Sequence, residues 1–333
     1  MLFPTRVITI DAALRDARST SPRARLVAVQ ALGDVGEADH ARVRPALCAA
    51  LDDDVAAVRA EAAASLGEIG GDDAEVIAAL VRRLDDGDAG VRQAAAIALG
   101  TLRAAAGFTP LARALREGAA DLRFQAASSL VEIDPLAAYE PLAAAVGDRD
   151  PQVAGAVALA LGATGDPRAP ALVAHLMDHE DAGVRFDAAY ALAQQGDRRG
   201  AAVLEGALTD GGRDWDAVVA LERIGGGLPA LAALLGRKGT TPEVQARAAG
   251  AILAIDRAAG PADGADAERA RAHLVAALDN RRETVRGIAI DELGKSGGAW
   301  ALAPLQALAR RRRGRDLADE ITRAVQAIEA RTR

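Results

Sequence analysis

The sequence predicts an all-α fold, a solenoid of about ten two-helix repeats, and three observations predict it. The string Val91-Arg92-Gln93-Ala94-Ala95-Ala96-Ile97-Ala98-Leu99-Gly100 recurs along the chain. Further copies run Val58-Arg59 to Leu66-Gly67, Leu122-Arg123 to Leu130, Val184-Arg185 to Leu192 and Val285-Arg286 to Leu293-Gly294. The motif leucine falls at Leu32, Leu66, Leu99, Leu130, Leu161, Leu192, Leu221, Ile252, Leu293 and Val325; eight of the nine intervals lie between 29 and 34 residues, the length of a helix pair. With the valine as position one, apolar residues fall at positions one, five, eight, nine and twelve, which is one face of a helix at about 100° per residue.

The elements follow in chain order. Acidic turns precede second helices: Asp52-Asp53-Asp54 before the Val58 copy, Asp85-Asp86-Gly87-Asp88 before the Val91 copy, and Gly147-Asp148-Arg149-Asp150-Pro151 before the next. An aspartate there caps the coming helix and complements its dipole. First helices carry an apolar string with proline near its start, as in Phe108-Thr109-Pro110-Leu111, Tyr139-Glu140-Pro141-Leu142, Leu228-Pro229-Ala230-Leu231 and Leu302-Ala303-Pro304-Leu305. Proline is tolerated in a first turn, where its missing N–H costs nothing, so these prolines mark helix starts or early kinks. Gly225-Gly226-Gly227 reads as a turn. The interval from Ile252 to Leu293 is 41 residues, and the excess predicts a loop inserted between repeats over 257–266. The solenoid is expected to run over 1–333 as a single domain.

Composition narrows the function. The chain has 333 residues, half of them apolar, yet only eight are aromatic and 84 are alanine, so the core must be built from small side chains and closely approaching helices. A net charge of −7 argues against a general nucleic-acid binder, which presents a basic field. The lone Cys48 excludes a disulfide framework. The N-terminal residues show no signal-peptide pattern, and no uncharged run approaches membrane-spanning length. A soluble, cytoplasmic protein with no membrane contact is expected.

The Asp-rich turn, the Val-Arg pair, the Ala-Ala step and the Leu-Gly ending together resemble the HEAT-repeat family, in particular the bacterial type first described in phycobilisome lyases. The resemblance covers about Ile8 to Ile328. It implies a right-handed superhelix with first helices outside and second helices lining a concave side. It is specific for fold and says little about function, because such repeats serve many tasks. Arg25, Arg59, Arg92, Arg123, Arg185 and Arg286 recur at position two. They are expected to form a structural ladder of salt bridges to turn aspartates rather than an anion-binding row, since each comes with aspartate nearby.

Residues that repeat hold the fold, and residues that do not repeat mark a site. Positions three and seven of a second helix point away from its core face, at about 200° and 240° when position one is 0°. Phe124, Phe186, Tyr190 and Trp215 fall on these positions, half the aromatics of the chain. Glu132, Asp187, Asp216 and Glu222 flank them. In the family arrangement these residues face the concave side, where rings bury large areas at small entropy cost. An acidic, aromatic surface suits a protein or peptide partner, basic or helical.

Catalytic chemistry is sparse in the sequence. His175 and His179 lie one helical turn apart, a spacing that can place two imidazoles on one metal, but further ligands would have to come from elsewhere. Deoxyhypusine hydroxylases, iron enzymes built on HEAT repeats, carry His-Glu pairs at the starts of second helices; here Phe186-Asp187, Phe124-Gln125 and Ala60-Glu61 stand there, so no metal and no cofactor is expected. No serine sits in a Gly-x-Ser-x-Gly elbow. The run Arg310-Arg311-Arg312-Arg313-Gly314-Arg315 reads as a solvated segment between helices. The expected function is a non-catalytic interaction scaffold or adaptor. A lyase-like or chaperone-like role follows from the resemblance alone, and a HEAT-like DNA glycosylase would need a basic groove.

Overall fold

The computed structural model describes residues 8–69, 71, 73–209, 211–260 and 264–332. Helices, turns and bends account for all the regular structure among these residues, with no strand. The chain divides into two compact units, Met1–Leu176 and Met177–Arg333. The first holds α1 (Ile10–Asp16), α2 (Pro22–Gly33), α3 (His40–Ala50), α4 (Ala56–Glu68), α5 (Ala74–Arg83), α6 (Ala89–Thr101), α7 (Ala105–Glu117), α8 (Ala120–Ile133), α9 (Tyr139–Ala145), α10 (Pro151–Ala163) and α11 (Ala169–Ala174). The second holds α12 (Ala182–Gln194), α13 (Ala201–Ala207), α14 (Asp214–Ile224), α15 (Leu228–Leu234), α16 (Pro242–Ala259), α17 (Ala265–Ala277), α18 (Glu283–Ser296), α19 (Leu302–Ala309) and α20 (Ala318–Thr332). Odd-numbered helices are the first helices of repeats and even-numbered ones the second, which gives the ten pairs the spacing predicts among the described residues. The architecture is an α-solenoid.

Second helices pack on the second helices of neighbouring repeats: α2, α4, α6, α8 and α10 in one unit and α12, α14, α16, α18 and α20 in the other. The motif leucines Leu32, Leu66, Leu99, Leu130 and Leu161 are wholly buried, as are the position-five residues Ala62, Ala95, Ala126 and Val157. Each such leucine contributes about 2 kcal/mol by leaving water. In the last repeat Val325 is only partly buried, and Ile321, Ala324 and Ile328 take the core instead. The Leu-Gly ending has a packing reason. A Cβ on Gly67 of α4 would stand 2.9 Å from the Ala98 Cα of α6, and one on Gly100 of α6 would stand 3.1 Å from the Ser129 Cα of α8. These glycines set the approach of successive second helices.

The acidic turns divide their work. Asp86 accepts the Asp88 N–H at 3.0 Å and closes the turn, while Asp88 accepts the Val91 N–H at 3.2 Å and caps α6. Asp148 and Asp150 repeat the arrangement at α10, where Asp150 accepts from Gln152 and Val153. Asp53, Asp86 and Asp148 also receive the position-two arginines described below.

Two expectations about elements are corrected. Pro110 lies in the interior of α7, which already starts at Ala105, because Gly107 lets that first turn lie against Leu99. The other three prolines do stand within the first three residues of α9, α15 and α19. The ten residues 257–266 are not wholly a loop: α16 continues through Ala259 and α17 starts at Ala265, so the long interval is spent chiefly on an 18-residue helix. Alanines and Arg257 continue the helix until Gly260, whose φ of 106° ends it. Pro261, Ala262 and Asp263 lie outside the described residues.

Candidate interaction surface

Four of the six position-two arginines pair with aspartates, all in the first unit. Arg25 pairs with Asp53 at 2.6 Å, Arg59 with Asp86 at 2.8 Å, Arg92 with Asp121 at 2.8 Å and Arg123 with Asp148 at 2.7 Å. Arg25, Arg59 and Arg123 thus reach the turn before the next second helix, and Arg92 reaches the first turn of α8 itself. Each Nη1 meanwhile donates to carbonyls of its own turn, as Arg59 does to Asp53 O at 2.8 Å. The hydrogen bonds from Arg25, Arg59 and Arg123 hold the Asp53, Asp86 and Asp148 carboxyls below the usual carboxylate range. In the second unit Arg185 donates to His179 O and Glu180 O, and Arg286 to Asn280 O and Arg281 O.

The opposite side of the second helices is exposed in part. Phe124 on α8 is 43% exposed and Trp215 on α14 is 39% exposed, as their positions predict. Glu132 and Asp216 are exposed beside them in sequence, and Tyr190 is half-buried. Phe186 is the exception and is corrected here: only 6% of it is exposed. Its ring faces that of Tyr190 at 6.2 Å between centroids, and the Arg213 guanidinium lies over it at 4.7 Å. Arg213 also donates to Asp187 Oδ1 at 2.9 Å, and burial pushes the Asp187 carboxyl up against that pull. Helical position alone cannot show this cover, because Arg213 arrives from the loop of the following repeat, 27 residues on. A cleft of about 600 Å³ beside Phe186, with Arg213 and Gly183 in its wall, is what remains open. Phe124 belongs to the first unit, and Phe186, Tyr190 and Trp215 to the second.

Aliphatic residues on the second helices are exposed as well, Leu159 among them as its position predicts. Ile97 at position seven of α6 is 47% exposed, Leu159 at position seven of α10 is 39% exposed, and Val27 at position four of α2 is 41% exposed. Reading position seven for all apolar residues would have found Ile97. A buried acid also stands where other repeats have a small residue. Glu292 occupies position eight of α18, 2% exposed, in the space that Gly250 of α16 leaves by lacking a side chain. Arg247 joins it at 3.4 Å and also pairs with Glu222 of α14.

The other singled-out residues have local roles. His179 Nδ1 accepts the Asp181 N–H at 3.0 Å, and Asp181 caps α12. Within the basic run, Arg311 pairs with Asp279 and Arg313 donates to Asp279 O at the end of α17, so these two arginines close a helix terminus. No helix among the described residues is long and apolar enough to cross a membrane.

Comparison with known proteins agrees with this geometry. The family model of HEAT repeats matches residues 10–100, 108–181 and 139–224. No curated protein matches the chain. Among solved structures, the chain is similar to that of the Kap95:Nup1 complex, with a TM-score of 0.61 at 12% identity over 93% of this chain and 50% of that one. It is also similar to the complex of CpcE and CpcF of phycocyanin lyase from Nostoc sp. PCC7120, with a TM-score of 0.38 at 23% identity over 82% of this chain and 97% of that one. Human deoxyhypusine hydroxylase in complex with glycerol gives a TM-score of 0.34 at 21% identity, over 85% and 94% of the two chains. With more than half its length matched by the family model and its helix pairs stacked as the repeats require, the chain belongs to the HEAT-repeat family.

Proposed function

We propose that this protein is a non-catalytic scaffold or adaptor that binds a protein or peptide on the free face of its second helices. One observation carries the reading. In a chain with eight aromatic residues, Phe124 and Trp215 stand 43% and 39% exposed at helix positions that the repeat does not use for its core. Rings exposed on rigid helices bury area at small entropy cost, which is what a binding anchor needs. The arginines of the ladder are engaged with aspartates, so the charge left on the free face of the first unit is acidic. Kap95, which shares the fold, is solved in a complex with Nup1, and only the class of ligand, a protein, is carried over.

Affinity capture from the native host tests the reading, with wild type and a Phe124→Ala/Trp215→Ala double variant as baits. The expected result is a protein retained stoichiometrically by wild type and lost from the variant, with helicity and melting of the two baits alike. Equal retention by both baits, or none by either, would overturn the proposal.

A further inference from the structure

We infer that the free face of the second helices in the first unit docks a cationic amphipathic helix of another protein. This rests on the scaffold reading and adds the chemistry of the partner. Helices α2, α4, α6, α8 and α10 stack in order, so their positions three, four, seven and eleven line one side of the stack, with only Gly155 and Ala156 of α10 buried among them. Ile97, Phe124 and Leu159 stand on three successive helices of that stack, 47%, 43% and 39% exposed, and Val27 extends the apolar row to α2. Glu68 on α4 and Glu132 on α8 are exposed on the same surface, and neither has an ion-pair partner among the described residues. Glu132 reaches back over Gly100 of α6, one turn beyond Ile97. No lysine or arginine occupies any of these positions in the five helices. The arginines at position two lie on the other side of each helix and are held by aspartates.

An apolar row edged by unneutralised carboxylates selects its partner. A phosphate backbone or an anionic membrane would meet repulsion there. A basic segment without an apolar side would leave the isoleucine, phenylalanine and leucine in water. Neighbouring packed helices lie about 8–10 Å apart, so the row from α6 to α10 spans about 20 Å. A helix rising about 1.5 Å per residue crosses that span in about fourteen residues and meets one anchor about every seven. The partner is therefore a helix of about four turns or more, with apolar residues on one side and lysine or arginine beside them.

A fluorescein-labelled peptide of about eighteen residues, built from leucine and lysine with one apolar face, is the probe. Fluorescence anisotropy is read on the full chain, with three variants of matched melting: Phe124→Ser/Leu159→Ser, Glu68→Gln/Glu132→Gln, and Trp215→Ala in the other unit. Saturable one-to-one binding is expected, weakened about tenfold or more by Phe124→Ser/Leu159→Ser and unchanged by Trp215→Ala. Glu68→Gln/Glu132→Gln should flatten the loss of affinity between about 50 mM and about 500 mM salt. A peptide with glutamate in place of lysine should not bind. Equal binding to wild type and Phe124→Ser/Leu159→Ser overturns the inference, and so does equal binding of the acidic peptide. Sedimentation showing a dimer of this chain that Phe124→Ser/Leu159→Ser dissolves also overturns it, because a second copy would then be the occupant. If the peptide fails while capture from the host succeeds, the basic partner class falls and the scaffold reading stands.

Discussion

Arg59 uses its planar fork in two directions at once. Nε and Nη2 meet the two oxygens of Asp86 at 2.9 and 2.8 Å, and Nη1 meets Asp53 O at 2.8 Å. The bidentate pair is charge-assisted, and the aspartate is 5% exposed at its side chain. A lysine has the charge but not the fork. Arg59→Gln is therefore expected to destabilise the first unit by about 2 kcal/mol and Arg59→Lys by about half as much, measured by urea unfolding. The pH dependence follows from Asp86, whose carboxyl is held low first by the hydrogen bond from Arg59 and is raised in part by burial. A carboxyl depressed on folding contributes stability above its unfolded value of about 3.9, and that contribution is lost as pH falls through the lower folded value. The gap between wild type and Arg59→Gln should stay constant from neutral pH to about pH 4 and close below it. A gap that persists undiminished at the lowest pH would show that the guanidinium acts through its bonds to the turn carbonyls and its packing rather than through the Asp86 carboxylate.

At the scale of the helix, glycine has opposite meanings at two positions of equivalent second helices. Gly67 lies near the end of α4 against the Ala98 backbone of α6, with 2.9 Å left for a Cβ; Gly287 lies within α18 with nothing within 4 Å of where a Cβ would stand. Helix propensity alone says that Gly→Ala stabilises either helix by about 1 kcal/mol. At Gly287 nothing opposes that gain, so Gly287→Ala should raise the melting temperature. At Gly67 the neighbouring backbone must move, and overpacking of this kind costs about 1–3 kcal/mol, so Gly67→Ala should lower it. The same sign for both would refute the packing account. The sequence carried the helix boundaries well wherever Val-Arg and an aspartate turn marked them, since those residues act within a few positions of themselves. It carried Pro110 and the 257–266 stretch poorly. There a helix is extended by contacts, Gly107 on Leu99, or by neutral helix formers such as Ala258 and Ala259 that give no stop signal before Gly260.

At the scale of the whole chain, the legible part of the surface was the direction of each position, which is why Phe124 and Trp215 stand where periodicity puts them. The covering of Phe186 by Arg213 and the burial of Glu292 in the space over Gly250 were not legible, because each depends on a residue 27 or more positions away. Carboxyls of the two units include groups with opposite responses to acid. In the first, Asp53, Asp86 and Asp148 are depressed by arginine hydrogen bonds and lose their stabilisation as pH falls. In the second, burial raises the Glu292 carboxyl despite Arg247 and Lys295, with Glu222 and Asp291 adding to the rise. A carboxyl raised on folding favours the folded state only while protonated, so its contribution is present below its unfolded value and lost as pH rises through the folded one. Glu292→Gln keeps the shape and removes the charge, and Arg247 keeps Glu222 as its partner. The variant should therefore melt higher than wild type at neutral pH, with the difference shrinking to nothing toward about pH 4. A variant that melts lower at neutral pH would mean that the Arg247–Glu292 pair outweighs the burial of its charge, and that α14, α16 and α18 are held together by that carboxylate rather than in spite of it.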